Sequence, residues 1–144
     1  MDIQLINDQL LADLHEKAKQ NERKRQCYDL RTTPEDTSQR MLNVLEPGTK
    51  VPIHRHQKTT ESAICIEGRL DWIIYEELAD GSQEECHCVV EDGMCFKEIA
   101  RYALCPREHR YGIQIPLGAW HSIEVYERST IFEAKDGCYE PIKQ

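Results

Sequence analysis

Three histidines and a glutamate offer the clearest chemistry in this sequence. His54 and His56 lie one residue apart, and Glu61 follows them closely. His121 lies far downstream, directly after a turn signal at 116–118. Imidazole nitrogens and a carboxylate oxygen suit a divalent transition metal, which polarises a bound oxygen or activates water or O2. The pattern therefore predicts one divalent transition metal ion, with Fe, Mn, Ni and Zn all compatible with these ligands.

β-Strands are needed to bring these side chains together. Side chains on a strand alternate between its two faces, so a strand over 51–56 would project His54 and His56 together. A short polar link and a second strand over 62–67 would carry Glu61 back beside them. A third, distant strand beginning at His121 would supply the last ligand, because strands far apart in the chain pair in an antiparallel barrel.

The coordination geometry is left open by the sequence. Four protein ligands in an octahedral set leave two positions for water, substrate or O2, whereas a tetrahedral set leaves none and indicates structural zinc. If only the three histidines bind, Glu61 is available as a base. An isolated His-x-His pair is often two surface histidines. Here three of the six histidines in 144 residues occupy the required positions.

A helix and a series of short strands are predicted along the chain. The helix begins at Asn7 or Asp8, continues to about Gln26 and belongs to an N-terminal segment, 1–31, that also contains a connector. A single β domain then covers 32–144, with 94–110 as a loop at the barrel mouth. Gly68 is the turn between two of its strands. The predicted strands are 41–45, 51–56, 62–67, 70–76, 84–90, 111–115, 121–126 and 130–134.

The two histidine-containing stretches resemble the cupin superfamily. The first fits the motif G-x5-H-x-H-x4-E-x6-G from Gly48 to Gly68, and the second fits G-x(3–5)-P-x-G-x2-H-x3-N from Gly112, with Val125 in place of the asparagine. The resemblance implies an all-β double-stranded β-helix, the cupin jelly roll, here with an N-terminal α-helix. It also implies that the metal lies inside the barrel.

A closer resemblance is to the WbuC-like group of small cupin metalloproteins. It is carried by 39–48 leading into the histidine pair, by Trp120 next to His121, and by the tail 132–141, where Cys138 replaces a proline usual in that group. The resemblance implies a role beside bacterial surface-polysaccharide (O-antigen) biosynthesis. It also implies a small carbohydrate-related ligand, such as a sugar or a sugar nucleotide.

Composition excludes several other classes of function. The net charge of −8 argues against nucleic acid or an anionic membrane as a partner, and no apolar run is long enough to span a bilayer. The N-terminus lacks the features of a signal peptide, so a cytoplasmic location is expected. Seven cysteines are then expected to be reduced thiols. Cys86, His87 and Cys88 could form a second, thiolate-rich metal site, although a strand with buried thiols is the favoured interpretation.

Two classes of function remain compatible with these residues. A metalloenzyme would isomerise or epimerise a sugar, or would be a non-haem metal dioxygenase, with Glu61 as a possible base and no other catalytic residue assigned. A non-catalytic module would use a structural metal to bind or sense a sugar. Trp120 could wall the pocket or be an ordinary core residue, and core packing with a partial role in the pocket is the favoured interpretation. By analogy with other cupins, a homodimer is also expected.

Overall fold

The computed structural model describes residues 2–79 and 88–141, and these residues form one curled antiparallel sheet with a single α-helix. The strand order is β1-β2-β7-β3-β5-β4, and β6 pairs with β3 beside that path. The prediction of an all-β fold with an N-terminal helix is confirmed. The elements are α1 (Asp8–Gln20), β1 (Arg25–Asp29), β2 (Ser38–Leu45), β3 (Glu61–Leu78), β4 (Cys88–Glu91), β5 (Met94–Leu104), β6 (Gly112–Ile115) and β7 (Trp120–Asp136).

The two longest strands, β3 and β7, form a ribbon that rolls the sheet into a barrel. In this ribbon Glu61 pairs with Lys135 and Ile74 pairs with His121. A flat ribbon would hold Glu61 and His121 roughly 40 Å apart, at about 3.3 Å for each residue between them. Their side chains instead approach within 3.7 Å. The curl of the ribbon is therefore what assembles the site.

Irregular pairing at the middle of β3 helps the ribbon to bend. The register between β3 and β7 shifts three times between Cys65 and Leu70, and such bulges increase local twist. Gly68 lies among these shifts with φ of +94°, and a Cβ there would collide with the Arg128 carbonyl and the Ser129 hydroxyl. The predicted hairpin turn at Gly68 is thus wrong. The glycine allows close approach of two strands inside one continuous bent strand.

Three other predictions of local structure are wrong. The segment 51–56 is not a strand, since its one ladder contact is the bridge between His54 and His121. The predicted loop 94–110 contains β5 and a short 3-10 turn at Pro106–Glu108, because β5 pairs along β3. The predicted strands 121–126 and 130–134 are one strand, β7.

The apolar core lies inside the barrel and reaches His121 through Trp72. Trp72 is its largest member and is 2% exposed. Side chains from β2, β3, β5, β6 and β7 build it, as expected for strands with one buried face. The buried members are Leu45, Ala63, Cys65, Leu70, Trp72, Leu104, Ile115, Val125 and Ile131.

Helix α1 packs on the outside of the barrel. Asn7 caps it, since the Asn7 side chain accepts a hydrogen bond of 3.0 Å from the Leu10 amide, as predicted for this end. Its apolar face buries Leu11 and Leu14 against the outer face of β2. No helix within residues 2–79 and 88–141 is long and apolar enough to cross a membrane.

The predicted end of the helix at Gln26 is wrong, because α1 ends at Gln20. A turn follows in which Lys24 has a φ of +56°, and it reverses the chain. Residues Arg25–Asp29 then add strand β1 to the edge of β2, where Tyr28 packs against the same apolar cluster as α1. Backbone pairing along β2 therefore overrides the helical propensity of the basic segment.

His15 joins the helix to the barrel and is 1% exposed. Its Nδ1 lies 3.2 Å from a Glu46 oxygen, and its Nε2 lies 3.1 Å from both Glu67 and the Thr130 hydroxyl.

We expect His15→Ala to lower the free energy of unfolding by about 2 kcal/mol, since it leaves a cavity and leaves the largely buried Glu46 carboxylate without its partner. Chemical denaturation should show this loss, and the exposed control His109→Asn should show none. Equal stability of His15→Ala and wild type would contradict this account.

Candidate metal centre

The three predicted histidines converge where the segment before β3 meets the start of β7. One potential ligand atom from each of His54, His56 and His121 lies within 4.8 Å of the others. The ring centroids of His54 and His121 are 4.3 Å apart, and His56 lies 5.2 Å from His54 and 5.5 Å from His121. These three side chains could hold a metal ion.

The backbone fixes two of these histidines against each other. The His54 amide donates to the His121 carbonyl at 3.0 Å, and the His121 amide donates to the His54 carbonyl at 2.8 Å. This reciprocal bridge joins the segment before β3 to the start of β7. The turn 116–118 contributes a further link, because the Gly118 amide donates to the His56 carbonyl at 2.8 Å.

Hydrogen bonds to carbonyls orient the imidazole rings. The His54 Nδ1 lies 2.8 Å from the Pro52 carbonyl oxygen, and the His121 Nδ1 lies 2.9 Å from that of Ala119. A carbonyl only accepts, so each Nδ1 carries the proton and each Nε2 is left with a free lone pair. This is the tautomer that metal-binding histidines adopt through such partners.

Two of the nitrogens directed at the centre lack a hydrogen-bond partner. Among the described residues, the Nε2 atoms of His56 and His121 are buried without a hydrogen bond. Burial, together with the neighbouring His121, lowers the pKa of His54 to about 4, so its ring is neutral at pH 7. Buried ring nitrogens without a hydrogen-bond partner are costly unless a ligand satisfies them. The residues present therefore fit a metal ion.

Glu61 lies beside the histidines at the start of β3. One carboxylate oxygen is 3.1 Å from His56 Nε2, and the other is 3.7 Å from His121 Nε2, without the alignment of a hydrogen bond. The first oxygen is also 3.3 Å from Lys135 Nζ. Burial raises the pKa of Glu61, but His121, His56 and Lys135 outweigh it and hold the pKa well below its usual range. Glu61 is therefore a carboxylate, and its role as a metal ligand stays a prediction.

Trp72 contacts one of the three histidines. The Trp72 ring stacks on His121 with centroids 5.9 Å apart and an interplanar angle of 23°. Trp120 instead contacts Phe96 at 5.0 Å and lies under the Arg55 guanidinium at 4.4 Å. Sequence reasoning missed Trp72, because its position beside His121 depends on the register of β3 and β7, in which Ile74 pairs with His121. A role for Trp120 in the pocket stays a prediction.

Polar residues continue from the centre along the inner face of the sheet. Lys135 is flanked by Glu61 on β3 and Gln39 on β2, and Glu133 follows on the same face. Asn43 donates a 2.9 Å hydrogen bond to the Glu133 carboxyl group. Burial, reinforced by the charge of Glu61, raises the pKa of Glu133 to about 8. We call Asn43, Glu133 and Lys135 the polar wall.

Two cavities lie near these elements. A cleft of about 270 Å³ adjoins the polar wall and is lined largely by hydroxyl and other polar groups, including Thr59, Ser62 and Lys135. A larger one, of about 850 Å³, lies between β5 and β6 and is lined by none of the three histidines. The smaller cleft shares Lys135 with the polar wall, whereas the larger one shares Ala119, whose carbonyl orients the His121 ring.

The predicted second metal site lies mostly outside the described residues. Cys86 and His87 fall there, as does most of the predicted strand 84–90. Cys88 begins β4 as a half-buried free thiol. The role of this cysteine pair stays a prediction.

One family model matches more than half of the chain. The family model described as "Domain of unknown function (DUF6016)" matches residues 6–87. This range includes His54, His56 and Glu61, whereas His121 lies beyond it. No curated protein matches the chain.

Three solved structures resemble the chain in fold. Escherichia coli YcfD, titled a ribosomal oxygenase, is 22% identical, with 71% of this chain and 26% of that chain covered at a TM-score of 0.51. The Schizosaccharomyces pombe Cnp3 cupin domain is 10% identical, covering 78% and 64% at 0.53. Staphylococcus aureus CapF, titled a capsular polysaccharide assembling protein, is 17% identical, covering 84% and 28% at 0.52.

These likenesses confirm the predicted architecture. The chain has the double-stranded β-helix of cupins, with an N-terminal helix added outside the barrel. It spans only about a quarter of the YcfD and CapF chains, at 26% and 28%. Sequence identities this low are evidence for the fold alone, since proteins with one fold can have many different functions.

Proposed function

Because this chain belongs to the DUF6016 family, whose description assigns no function, we propose from its own residues that it is a metal-binding cupin acting on a small carbohydrate-related molecule. The observation that carries the proposal is the convergence of three imidazoles, two of them with buried Nε2 atoms that lack a hydrogen-bond partner among the described residues. We propose His54, His56 and His121 as ligands, with Glu61 beside them as a further ligand or a base.

Glu61 and Glu133 could act as a base and an acid beside the bound metal. A bound divalent ion would supply Lewis acidity toward a carbonyl or hydroxyl oxygen. The Glu61 carboxylate is ionised and can accept a proton from a bound hydroxyl group. Glu133, whose pKa is raised to about 8, can hold a proton at neutral pH and donate it. An acid and a base on one face of the barrel suit proton transfer in a sugar isomerase or epimerase.

The polar wall and the adjoining cleft support a hydroxyl-rich ligand. Asn43, Glu133 and Lys135 together offer donors and acceptors beside the histidines, and further hydroxyl groups line the cleft. The WbuC-like motifs point in the same direction, as does the likeness to CapF, a capsular polysaccharide assembling protein. We therefore propose a sugar or sugar nucleotide of surface-polysaccharide biosynthesis as the ligand class.

A second candidate is a non-haem metal dioxygenase. Histidines with one carboxylate form the ligand type that such enzymes use for iron, and YcfD, titled a ribosomal oxygenase, shares the fold. Iron in the isolated protein, with a spectrum that changes under O2, would favour this candidate. Zinc or nickel that is indifferent to air would favour sugar chemistry or a binding module with a structural metal.

We expect metal-loaded protein to bind sugar nucleotides with a Kd in the micromolar to millimolar range, about 4 to 8 kcal/mol. Isothermal titration with uridine and guanosine diphosphate sugars measures this binding. His121→Ala should lose it if the metal anchors the ligand, and Lys58→Met, which alters an exposed ion pair with Glu140, should retain it. Equal binding by His121→Ala would contradict a metal-anchored ligand. Failure of every sugar nucleotide to bind would contradict the ligand class.

A further inference from the structure

Lys135 is an unusual neighbour for a metal centre, since it brings a buried positive charge to the edge of the site. It lies directly opposite Glu61 in the β3–β7 ladder, and its side chain is 11% exposed. Its ammonium group lies 3.3 Å from the same Glu61 oxygen that is 3.1 Å from His56 Nε2. One carboxylate oxygen thus lies between a fixed cation and the nitrogens that face the centre.

The surroundings leave Lys135 with few other partners. Gln39, which flanks it on β2, uses its side-chain amide to donate to the Gly137 carbonyl at 2.9 Å. Glu133, on the same face, is hydrogen-bonded by Asn43. Among the described residues, Glu61 is the carboxylate that forms an ion pair with Lys135. This pairing is strong because both side chains are nearly buried, where solvent screens charges weakly.

Lys135 and a metal ion would compete for Glu61. An ammonium group has three donors and no acceptor, so Lys135 cannot bind the metal itself. It attracts the carboxylate away from the histidines, and its charge also repels a cation at the centre. The three histidines, in contrast, already bring their ligand atoms within 4.8 Å of one another, a set that does not include Glu61.

We propose that Lys135 is a positioning residue that holds Glu61 at the edge of the centre, so that three histidines form the principal ligand set and Glu61 is shared between Lys135 and the metal. The inference rests on the proposed metal centre and deepens it. The carboxylate is then only loosely available to the metal, because Lys135 Nζ lies 3.3 Å from one of its oxygens. It is therefore free to serve a bound ligand instead.

Cobalt binding tests this role with the metal alone as the probe. Lys135→Met should let Glu61 approach the metal, so that Co²⁺ binds about tenfold more tightly, a size typical for residues that orient metal ligands. The visible absorption of bound Co²⁺ should also become weaker, as an added ligand raises the coordination number. Lys135→Gln is a second neutral variant, for use if the methionine variant does not fold. Lys135→Arg keeps the positive charge and should therefore show the wild-type Co²⁺ spectrum.

Two controls separate positioning from a general effect of charge. Lys58→Met removes an exposed lysine and should leave affinity and spectrum unchanged. In a Glu61→Gln background, Lys135→Met should no longer alter the Co²⁺ spectrum, because the carboxylate it positions is gone. Identical affinity and spectrum in wild type and both neutral variants would overturn the role of Lys135 while leaving the centre intact. Failure of wild type to bind Co²⁺ would overturn the metal centre itself, and this inference with it.

Discussion

Replacing His121 by alanine is expected to weaken metal binding at least about a thousandfold, roughly 4 kcal/mol. His121 is 1% exposed and contributes an orientated Nε2 to a set of three imidazoles. The binding free energy of a structural zinc site is about 10 to 16 kcal/mol. The loss of one ligand from a set of three or four should therefore remove roughly a quarter to a third of that binding free energy. Competition with a chromophoric chelator at neutral pH measures the change directly.

The matched control for this variant is His109→Asn. His109 is an exposed histidine with φ of +64°, a backbone conformation that asparagine tolerates. It should bind metal as wild type does. His121→Gln repeats the test with less loss of packing against Trp72. Stoichiometric metal held at wild-type affinity in both His121 variants would refute the assignment of this ligand.

Replacing Glu133 by glutamine is expected to remove a large pH dependence of stability in the metal-free protein. The pKa of Glu133 is raised from 4.5 to about 8 by burial and by the charge of Glu61. Between these values the folded state holds a proton that the unfolded state has released, so stability falls as pH rises through this window. The full shift corresponds to about 4 to 5 kcal/mol, at about 1.4 kcal/mol for each pH unit.

Urea denaturation at several pH values between about 4 and 9 tests this expectation. Wild type and Glu133→Gln should be about equally stable below pH 4.5, and the variant should become progressively more stable than wild type up to about pH 8. Glu127→Gln is the control, since Glu127 is 47% exposed in an ion pair with Arg107. A constant difference between Glu133→Gln and wild type across this range would show that Glu133 is not held protonated.

The motif spacing was sufficient to predict which side chains meet, although not how they meet. The hairpin expected to return Glu61 to the histidines does not exist, and the segment 51–56 is not a strand. Glu61 reaches His121 because the β3–β7 ribbon curls, which is a property of long-range pairing. The periodicity of side chains in a short segment carries no information about such long-range pairing. The resemblance to cupins, in contrast, implies a barrel in which distant strands meet.

The ends of the elements were less predictable than their existence. The cap at Asn7 is a local interaction and was correctly identified, whereas the end of α1 depends on the pairing of β1 with β2. Trp72 was missed for the same reason, since its stacking on His121 follows from register. The pairing of Lys135 with Glu61 likewise follows from the register of β3 and β7.

The metal content of the isolated protein tests the central claim most directly. Protein purified without chelator or added metal would be analysed by elemental mass spectrometry, and any metal-free fraction would be reconstituted anaerobically with Fe, Mn, Ni or Zn. The three converging histidines predict about one divalent transition metal ion per chain, lost in His121→Ala. Wild-type protein that contains no such metal and takes up none of the four on reconstitution would contradict the account.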